Sequence, residues 1–188
     1  MHAGSGGFVP LNLANVLTLS RIAFVPVLLV LLLGEDTGPI PAAAAVFGVA
    51  ALTDAADGHI ARSRNMITTF GRIADPLADK LLVGTALASL VVIDRLALWI
   101  ALVIGLREAG VALLRWHAGR QDVDIPVSSL GKAKTGAQMS SIVLLMLVPD
   151  SGAPWVVALL LVVVGLTVVS GLQYLLAFTR RPAMVPVR

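Results

Sequence analysis

The stretch TDAADGHIARSRNMITTFGRIADPLAD, residues 53–79, contains four aspartates arranged in two pairs. Asp54 and Asp57 are three positions apart, and Asp75 and Asp79 are four positions apart. Positions three and four apart share one face of an α-helix. The stretch therefore predicts two helices joined by a short loop, each with a stripe of carboxylates. Antiparallel packing of the two helices would bring the two stripes together.

The composition around this stretch is that of a membrane protein. The 188 residues are 57% hydrophobic and only 13% charged, with a mean hydropathy of +0.92. Soluble domains average roughly 45–50% apolar and about 25% charged residues. The absence of cysteine excludes disulfides and thiolate metal sites. The net charge of +3 comes from basic residues beside apolar runs, which favours anionic lipid or phosphorylated substrates over nucleic acid.

Six apolar stretches are long enough to suggest membrane spans of about 20 residues. We predict an all-α integral membrane protein with one catalytic domain over residues 1–188. Residues 1–7 are expected to be disordered and residues 8–15 to form a short interfacial helix. Asp75 followed by Pro76 predicts the start of the third helix, with aspartate as N-cap. The predicted spans are Val16–Leu33, Ile40–Arg62, Pro76–Ile93, Leu96–Trp116, Thr135–Val148 and Pro154–Phe178.

Basic residues are concentrated in alternate breaks between the spans. The second and fourth breaks and the C-terminal tail hold Arg62, Arg64, Arg72, Arg115, Arg120, Lys132, Lys134, Arg180, Arg181 and Arg188. In the first, third and fifth breaks, Arg95 is the only basic residue. Because Lys and Arg are enriched in cytoplasmic loops, both termini and the carboxylate stripes are expected to face the cytoplasm of a plasma-membrane protein.

The aspartates need compensation, because each charge at the bilayer centre costs about 2.5–3.5 kcal/mol. Several carboxylates could be protonated, or multivalent cations could lie among them. An all-oxygen ligand set suits hard divalent ions, so we expect Mg²⁺ or Mn²⁺, two ions in all. Gly58 and Ala61 share a stripe with Asp54 and Asp57, which leaves room for a ligand against the backbone. Close helix packing is the alternative explanation for these small residues.

The spacing D-x2-D-G-x2-A-R-x8-G-x3-D-x3-D resembles the signature of the CDP-alcohol phosphotransferase family. Residues 12–21 are similar to the family's N-terminal motif, with Ala14 in place of the usual proline, a departure that affects only the local turn. Within the family, residues 75–80, 107–108 and 126–138 are similar to bacterial phosphatidylglycerophosphate synthases. The fixed positions of the signature are occupied by Asp54, Asp57, Gly58, Ala61, Arg62, Gly71, Asp75 and Asp79.

The resemblance implies a six-helix fold, usually a homodimer, that transfers the phosphatidyl group of CDP-diacylglycerol to glycerol 3-phosphate. The products would be phosphatidylglycerophosphate and CMP. It also implies that Asp79 is both a metal ligand and the general base. Asp54, Asp57 and Asp75 would complete the metal site. The implied CDP-binding residues are Asp57, Gly58, Ala61, Arg62 and Gly71.

The phosphate of the acceptor needs cations of its own, and Arg107, Lys132 and Arg115 are the candidates. A structural ion pair with Glu108 is the alternative for Arg107. Lys134 is interpreted as part of the cytoplasmic charge bias. The aromatic residues near the segment ends are interpreted as interface anchors; they are Trp99, Trp116, Trp155 and Tyr174.

Two other functions are compatible with parts of the sequence. A sister enzyme would use another acceptor, as a cardiolipin synthase or a phosphatidylinositol-phosphate synthase does. An ion-coupled transporter would also contain carboxylates within the membrane. It would not require Gly58, Ala61, Arg62 and Gly71 at fixed spacing, and the sequence shows no internal repeat of the kind that many transporters contain.

Overall fold

The computed structural model of the protein describes residues 13–34, 38–64, 69–120 and 129–179, with side chains described from residue 19 onward except at 54–76 and 119. These parts of the chain form six α-helices in succession. Their bounds are α1 Leu13–Leu33, α2 Pro41–Arg64, α3 Thr69–Val92, α4 Leu98–Gly119, α5 Ser129–Leu147 and α6 Pro154–Thr179. All six predicted helical segments are confirmed.

Two helix starts differ from the prediction by more than three residues. Helix α3 begins at Thr69 and continues through Asp75 and Pro76, so the predicted N-cap at Asp75 is wrong. A helix interior tolerates proline when neighbouring helices satisfy the freed carbonyl, and Pro26 likewise lies inside α1. Helix α5 begins at Ser129 rather than Thr135.

The ends of the chain are covered only in part. Residues 13–15 form the first turn of α1. The predicted disordered segment 1–7, residues 8–12 of the predicted interfacial helix, and the arginines of the tail lie outside the described residues.

The helices surround one apolar core. Helix α1 contacts α2 and α3, α6 contacts α4 and α5, and the two groups join through contacts of α5 with α2 and α3 and of α3 with α4. Each helix contributes side chains that are buried almost completely. They include Leu28, Phe47, Leu82, Leu90, Ile104, Met146 and Val163. This arrangement places α3, α4 and α5 side by side.

The outer faces of the bundle are apolar as well. Val30 is 70% exposed, and Leu52 and Leu106 are each 72% exposed. Extended apolar surface of this kind marks contact with membrane or with a partner protein. Among the described helices, α6 alone has both the length and the composition of a membrane span, with a hydropathy of 2.6. Helices α1 and α2 contain shorter apolar stretches, Leu19–Leu33 and Pro41–Thr53.

Arg95 is the only basic residue in the breaks opposite the basic loops. Its hydrogen bonds give it a structural role there. Its Nη1 donates to the carbonyl oxygens of Leu145, at 3.0 Å, and Val148, at 3.1 Å. Its Nη2 donates to the carbonyl oxygen of Gly38. The last carbonyls of a helix have no partner within the helix, and a cation is favourable at this end of the helix dipole. Arg95 therefore caps α5 and ties it to the α1–α2 connection.

Replacing Arg95 by methionine is expected to lower the free energy of unfolding by about 1–3 kcal/mol, because partly buried carbonyls lose their donors. Thermal unfolding in detergent micelles measures the change. Arg120→Met is the matched control, since Arg120 is exposed and its guanidinium stacks 3.8 Å from the Trp116 ring centre. Equal loss of stability in both variants would contradict the capping role.

Candidate active site

The predicted carboxylate stripes lie on continuous helices. Helix α2 runs through Asp54 and Asp57, and α3 runs through Asp75 and Asp79. Each pair therefore has helical spacing on one face. The side chains of 54–76 lie outside the described part, so the convergence of the stripes and the metal site remain predictions. The same holds for the roles of Gly58, Ala61, Arg62 and Gly71.

Asp79 has a partly exposed side chain and lines a cavity of about 260 Å³ between α3, α4 and α5. The polar residues of the lining are Asp79, Lys80, Glu108, Thr135 and Gln138. Its apolar side chains are Val83, Leu87, Ile104 and Met139. On α3, Leu87 follows Asp79 by two helical turns, about 12 Å along the axis at 1.5 Å per residue. The cavity is therefore polar at the Asp79 end and apolar further along the helices.

The polar end of the cavity borders a partly buried ion pair. Lys134 of α5 donates to Oε1 of Glu108 on α4, and its side chain is fully buried. Nη1 of Arg107 donates to the same oxygen at 3.1 Å. The interpretation of Lys134 as part of the cytoplasmic charge bias is therefore wrong, because Lys134 lies inside the bundle. Lys132, two residues earlier, is exposed.

A periodic pattern in the sequence marks the burial of Lys134. The small or polar residues Gly131, Lys134, Gln138 and Ser141 are spaced three, four and three positions apart, and all four are buried. This is the spacing of one helix face. The mean hydropathy of a sequence window does not detect this pattern. A polar stripe lowers that mean by the same amount whether it is exposed to water or buried against polar side chains.

A second cluster, of two arginines and a tyrosine, joins α4 to α6. The guanidinium carbons of Arg107 and Arg115 lie 5.5 Å and 5.3 Å from the centre of the Tyr174 ring. Arg115 donates to the Tyr174 hydroxyl at 3.0 Å, and Arg107 donates to Ser170 Oγ at 3.1 Å. Cation–π contacts of this kind are stabilising, and more so for the mostly buried Arg107 than for the exposed Arg115. We call this group the Arg–Tyr cluster.

Tyr174 is only 4% exposed, so its predicted role as an interface anchor is wrong. The three tryptophans do lie at exposed positions, at 50% for Trp99 and 57% for Trp116 and Trp155. Sequence analysis did place Arg107 beside Glu108, and the ion pair between them is present. The participation of Lys134 and Tyr174 in this region was missed.

The chain matches the protein-family model described as CDP-alcohol phosphatidyltransferase over residues 11–171. It is 42% identical over 168 residues to a protein of Mycobacterium tuberculosis (strain ATCC 25618 / H37Rv) named probable phosphatidylglycerophosphate synthase, covering 87% of this chain and 79% of that one. It is 38% identical over 179 residues to the CDP-diacylglycerol–glycerol-3-phosphate 3-phosphatidyltransferase of Bacillus subtilis (strain 168), covering 87% and 93%. A protein of the same name from Pseudomonas fluorescens is 38% identical over 177 residues, with 89% and 90% covered.

Proposed function

The chain belongs to the CDP-alcohol phosphatidyltransferase family, and we propose that it makes phosphatidylglycerophosphate. The enzyme transfers the phosphatidyl group of CDP-diacylglycerol to glycerol 3-phosphate and releases CMP. The observation that carries this proposal is the cavity between α3, α4 and α5, where Asp79 lies at the polar end. The names of the relatives supply the two substrates.

The proposed metal ligands are Asp54, Asp57, Asp75 and Asp79, and the ions are Mg²⁺ or Mn²⁺, two in number. Carboxylates at helical spacing on α2 and α3 fit such a site, because hard divalent ions prefer oxygen ligands. When bound at these carboxylates, such ions would neutralise charge on the pyrophosphate and on the departing CMP. The CDP moiety is proposed to bind at the C-terminal part of α2 and the first turn of α3, at Asp57, Gly58, Ala61, Arg62 and Gly71.

Asp79 is the proposed general base. It takes the proton of the acceptor hydroxyl as that oxygen attacks the phosphorus attached to diacylglycerol, and the bond from this phosphorus to the CMP oxygen breaks. Its place on the cavity wall supports this role, since a base must reach the hydroxyl that it deprotonates. Positioning contributes as much as basicity, because nearby cations lower the basicity of a carboxylate.

The acceptor phosphate is proposed to bind at Arg107 and Arg115, with Lys132 as a further cation. Arg107 Nε is buried and has no hydrogen-bond partner among the described residues. An unsatisfied buried N–H is costly, and an anionic ligand would satisfy it. The Arg–Tyr cluster holds both guanidinium groups on one ring, which supports their joint use. Lys132 is supported only by its exposure near the start of α5.

The six helices are proposed to span the plasma membrane, with both termini and the active site on the cytoplasmic side. The exposed apolar faces support membrane contact. Asp79 precedes the middle of α3, Glu108 lies near the middle of α4, and Thr135 lies in the first half of α5. These polar residues meet at one end of the cavity, the end that the basic loops assign to the cytoplasm. A single domain and a homodimer complete the proposal.

The test is an assay with labelled CDP-diacylglycerol and purified enzyme in detergent. CMP release is expected with glycerol 3-phosphate and Mg²⁺, and its loss is expected with a chelator. Phosphatidylglycerol and inositol phosphate serve as alternative acceptors, representing the sister enzymes. Turnover with either of these and none with glycerol 3-phosphate would overturn the proposed acceptor.

Gly171 offers a test of Arg107 that leaves its charge intact. A Cβ atom at Gly171 would lie 3.2 Å from Cγ of Arg107, whereas at Gly165 on the same helix it would meet nothing within 4 Å. Gly171→Ala is therefore expected to displace Arg107 and to raise KM for glycerol 3-phosphate about 3–10-fold, as a weakened ionic hydrogen bond would. KM measured at saturating CDP-diacylglycerol should be unchanged in Gly165→Ala. Unchanged KM in both variants would argue against Arg107.

A further inference from the structure

Glu108 lies where a ligand in the cavity can reach it. It projects from α4 into the cavity that Asp79 lines from α3. Its side chain keeps 34% of its surface exposed, although Lys134, which binds it, is fully buried. Glu108 is therefore held by a buried cation while part of its own side chain stays accessible from the cavity.

The anchoring uses one oxygen only. Lys134 and Arg107 both bind Oε1 of Glu108. Within the described parts of the chain, Oε2 has no hydrogen-bond donor. Two cations on one oxygen orient the carboxylate without occupying the other oxygen. A ligand that binds Oε2 therefore meets an acceptor whose orientation is already set, and less side-chain entropy is lost on binding.

The chemistry of a carboxylate restricts what it can bind. An ionised carboxylate only accepts hydrogen bonds, so its partner must be a donor, and a phosphate would be repelled. Asp79 and Glu108 both line the cavity. Behind Glu108, Arg107 contacts its carboxylate, and the Tyr174 ring of α6 contacts both Arg107 and Arg115. Acceptors for hydroxyl groups therefore lie on the cavity wall, and guanidinium groups for an anion lie behind Glu108. This arrangement matches a molecule with hydroxyls at one end and a phosphate at the other.

We propose that Glu108 is a specificity-determining residue whose Oε2 accepts a hydrogen bond from the acceptor hydroxyl that does not react. The site thereby selects a polyol monophosphate over a simple hydroxyalkyl phosphate. The inference rests on the proposed function, in which Asp79 receives the proton of the reacting hydroxyl. The two carboxylates then hold neighbouring hydroxyls of one acceptor.

The experiment compares glycerol 3-phosphate with 3-hydroxypropyl phosphate, which keeps the reacting hydroxyl and the phosphate and lacks the middle hydroxyl. The wild type is expected to prefer glycerol 3-phosphate about 10–100-fold in kcat/KM, the factor for a hydrogen bond to a charged group. Glu108→Gln should reduce this ratio, because a neutral amide oxygen is a weaker acceptor. In the double variant Glu108→Met with Lys134→Met, the ratio should approach one.

Both acceptors are assayed with the same preparation of each variant, so the fraction of folded enzyme cancels from the ratio of the two kcat/KM values. Asp150→Asn is the matched control, because Asp150 is an exposed carboxylate that accepts from the Gly152 amide outside the cavity; its ratio should equal that of the wild type. A wild-type ratio near one, or an unchanged ratio in the double variant, would overturn the inference. If the wild type releases CMP with inositol phosphate but with neither glycerol 3-phosphate nor 3-hydroxypropyl phosphate, both the proposed acceptor and the role of Glu108 are overturned. Equal use of glycerol 3-phosphate and 3-hydroxypropyl phosphate is a different result, which overturns only the role of Glu108.

Discussion

Replacing Asp79 by asparagine is expected to reduce kcat by about 10³-fold or more, with CDP-diacylglycerol binding largely retained. General-base catalysis contributes about 10²–10⁴-fold, and asparagine cannot take the proton of the acceptor hydroxyl. The loss in kcat should lie in the upper part of this range, because the proposed role of Asp79 also includes metal binding. The side chains are nearly the same size, so the cavity should keep its shape.

Turnover is measured as CMP release at saturating substrates, and lipid binding is measured as thermal stabilisation by CDP-diacylglycerol. Asp94→Asn is the matched control. Asp94 is exposed in the α3–α4 turn beyond the other end of α3, and its φ of 55° is one that asparagine adopts readily. A near-normal rate in Asp79→Asn would show that the base has been assigned to the wrong residue.

The second large effect concerns stability. Glu108→Gln is expected to lower the free energy of unfolding by about 3 kcal/mol, because it leaves the fully buried Lys134 without an opposite charge. The figure lies at the low end of the usual range, since the amide oxygen still accepts a hydrogen bond from Lys134. The double variant Glu108→Met with Lys134→Met should recover part of the loss, because it removes the charge of the fully buried Lys134. Arg107 loses the Glu108 carboxylate in both variants and keeps its hydrogen bond to Ser170.

Thermal unfolding in one detergent compares the two variants with the wild type. Full recovery in the double variant would show that the pair is dispensable for stability and would leave the acceptor site as its proposed role. A double variant less stable than Glu108→Gln would contradict this account of the pair. It would indicate that Lys134 and Glu108 each stabilise the fold through other contacts.

The amphipathic character of the cavity bears on how the substrates meet. The donor has acyl chains that belong in the bilayer, whereas the proposed acceptor is small and highly charged. A cavity that is polar at Asp79 and apolar towards Leu87 provides both environments on neighbouring helices. The reacting groups can therefore be brought together without moving the chains into water or the phosphate into hydrocarbon.

Local sequence patterns were sufficient to predict several features. The six helices follow from six apolar stretches separated by turn residues, and their existence is confirmed. The helical spacing of Asp75 and Asp79 was predictable for the same reason, since periodicity is a property of one segment. The resemblance of the spaced motif to a family is confirmed by a match over residues 11–171. These inferences need no knowledge of which helices are neighbours.

The start of α3 was not predictable in this way. Asp75 and Pro76 are a strong local signal for a helix N-terminus, yet α3 extends back to Thr69. Within a bundle, packing of an amphipathic segment decides helix length more than local propensity does. The helix-start signal of Asp75 and Pro76 did not fix the start of α3, because the residues before it are also helical.

The amino-acid sequence alone is enough to predict the six helices, the spacing of the aspartates and the family to which the chain belongs. Which charged side chains face water and which face one another depends on how the helices pack. Lys134 and Lys132 are two positions apart, yet one is fully buried against Glu108 and the other is exposed. The physical reason is that a buried charge depends on its partner, and the partner of Lys134 lies on another helix, 26 residues away in the chain.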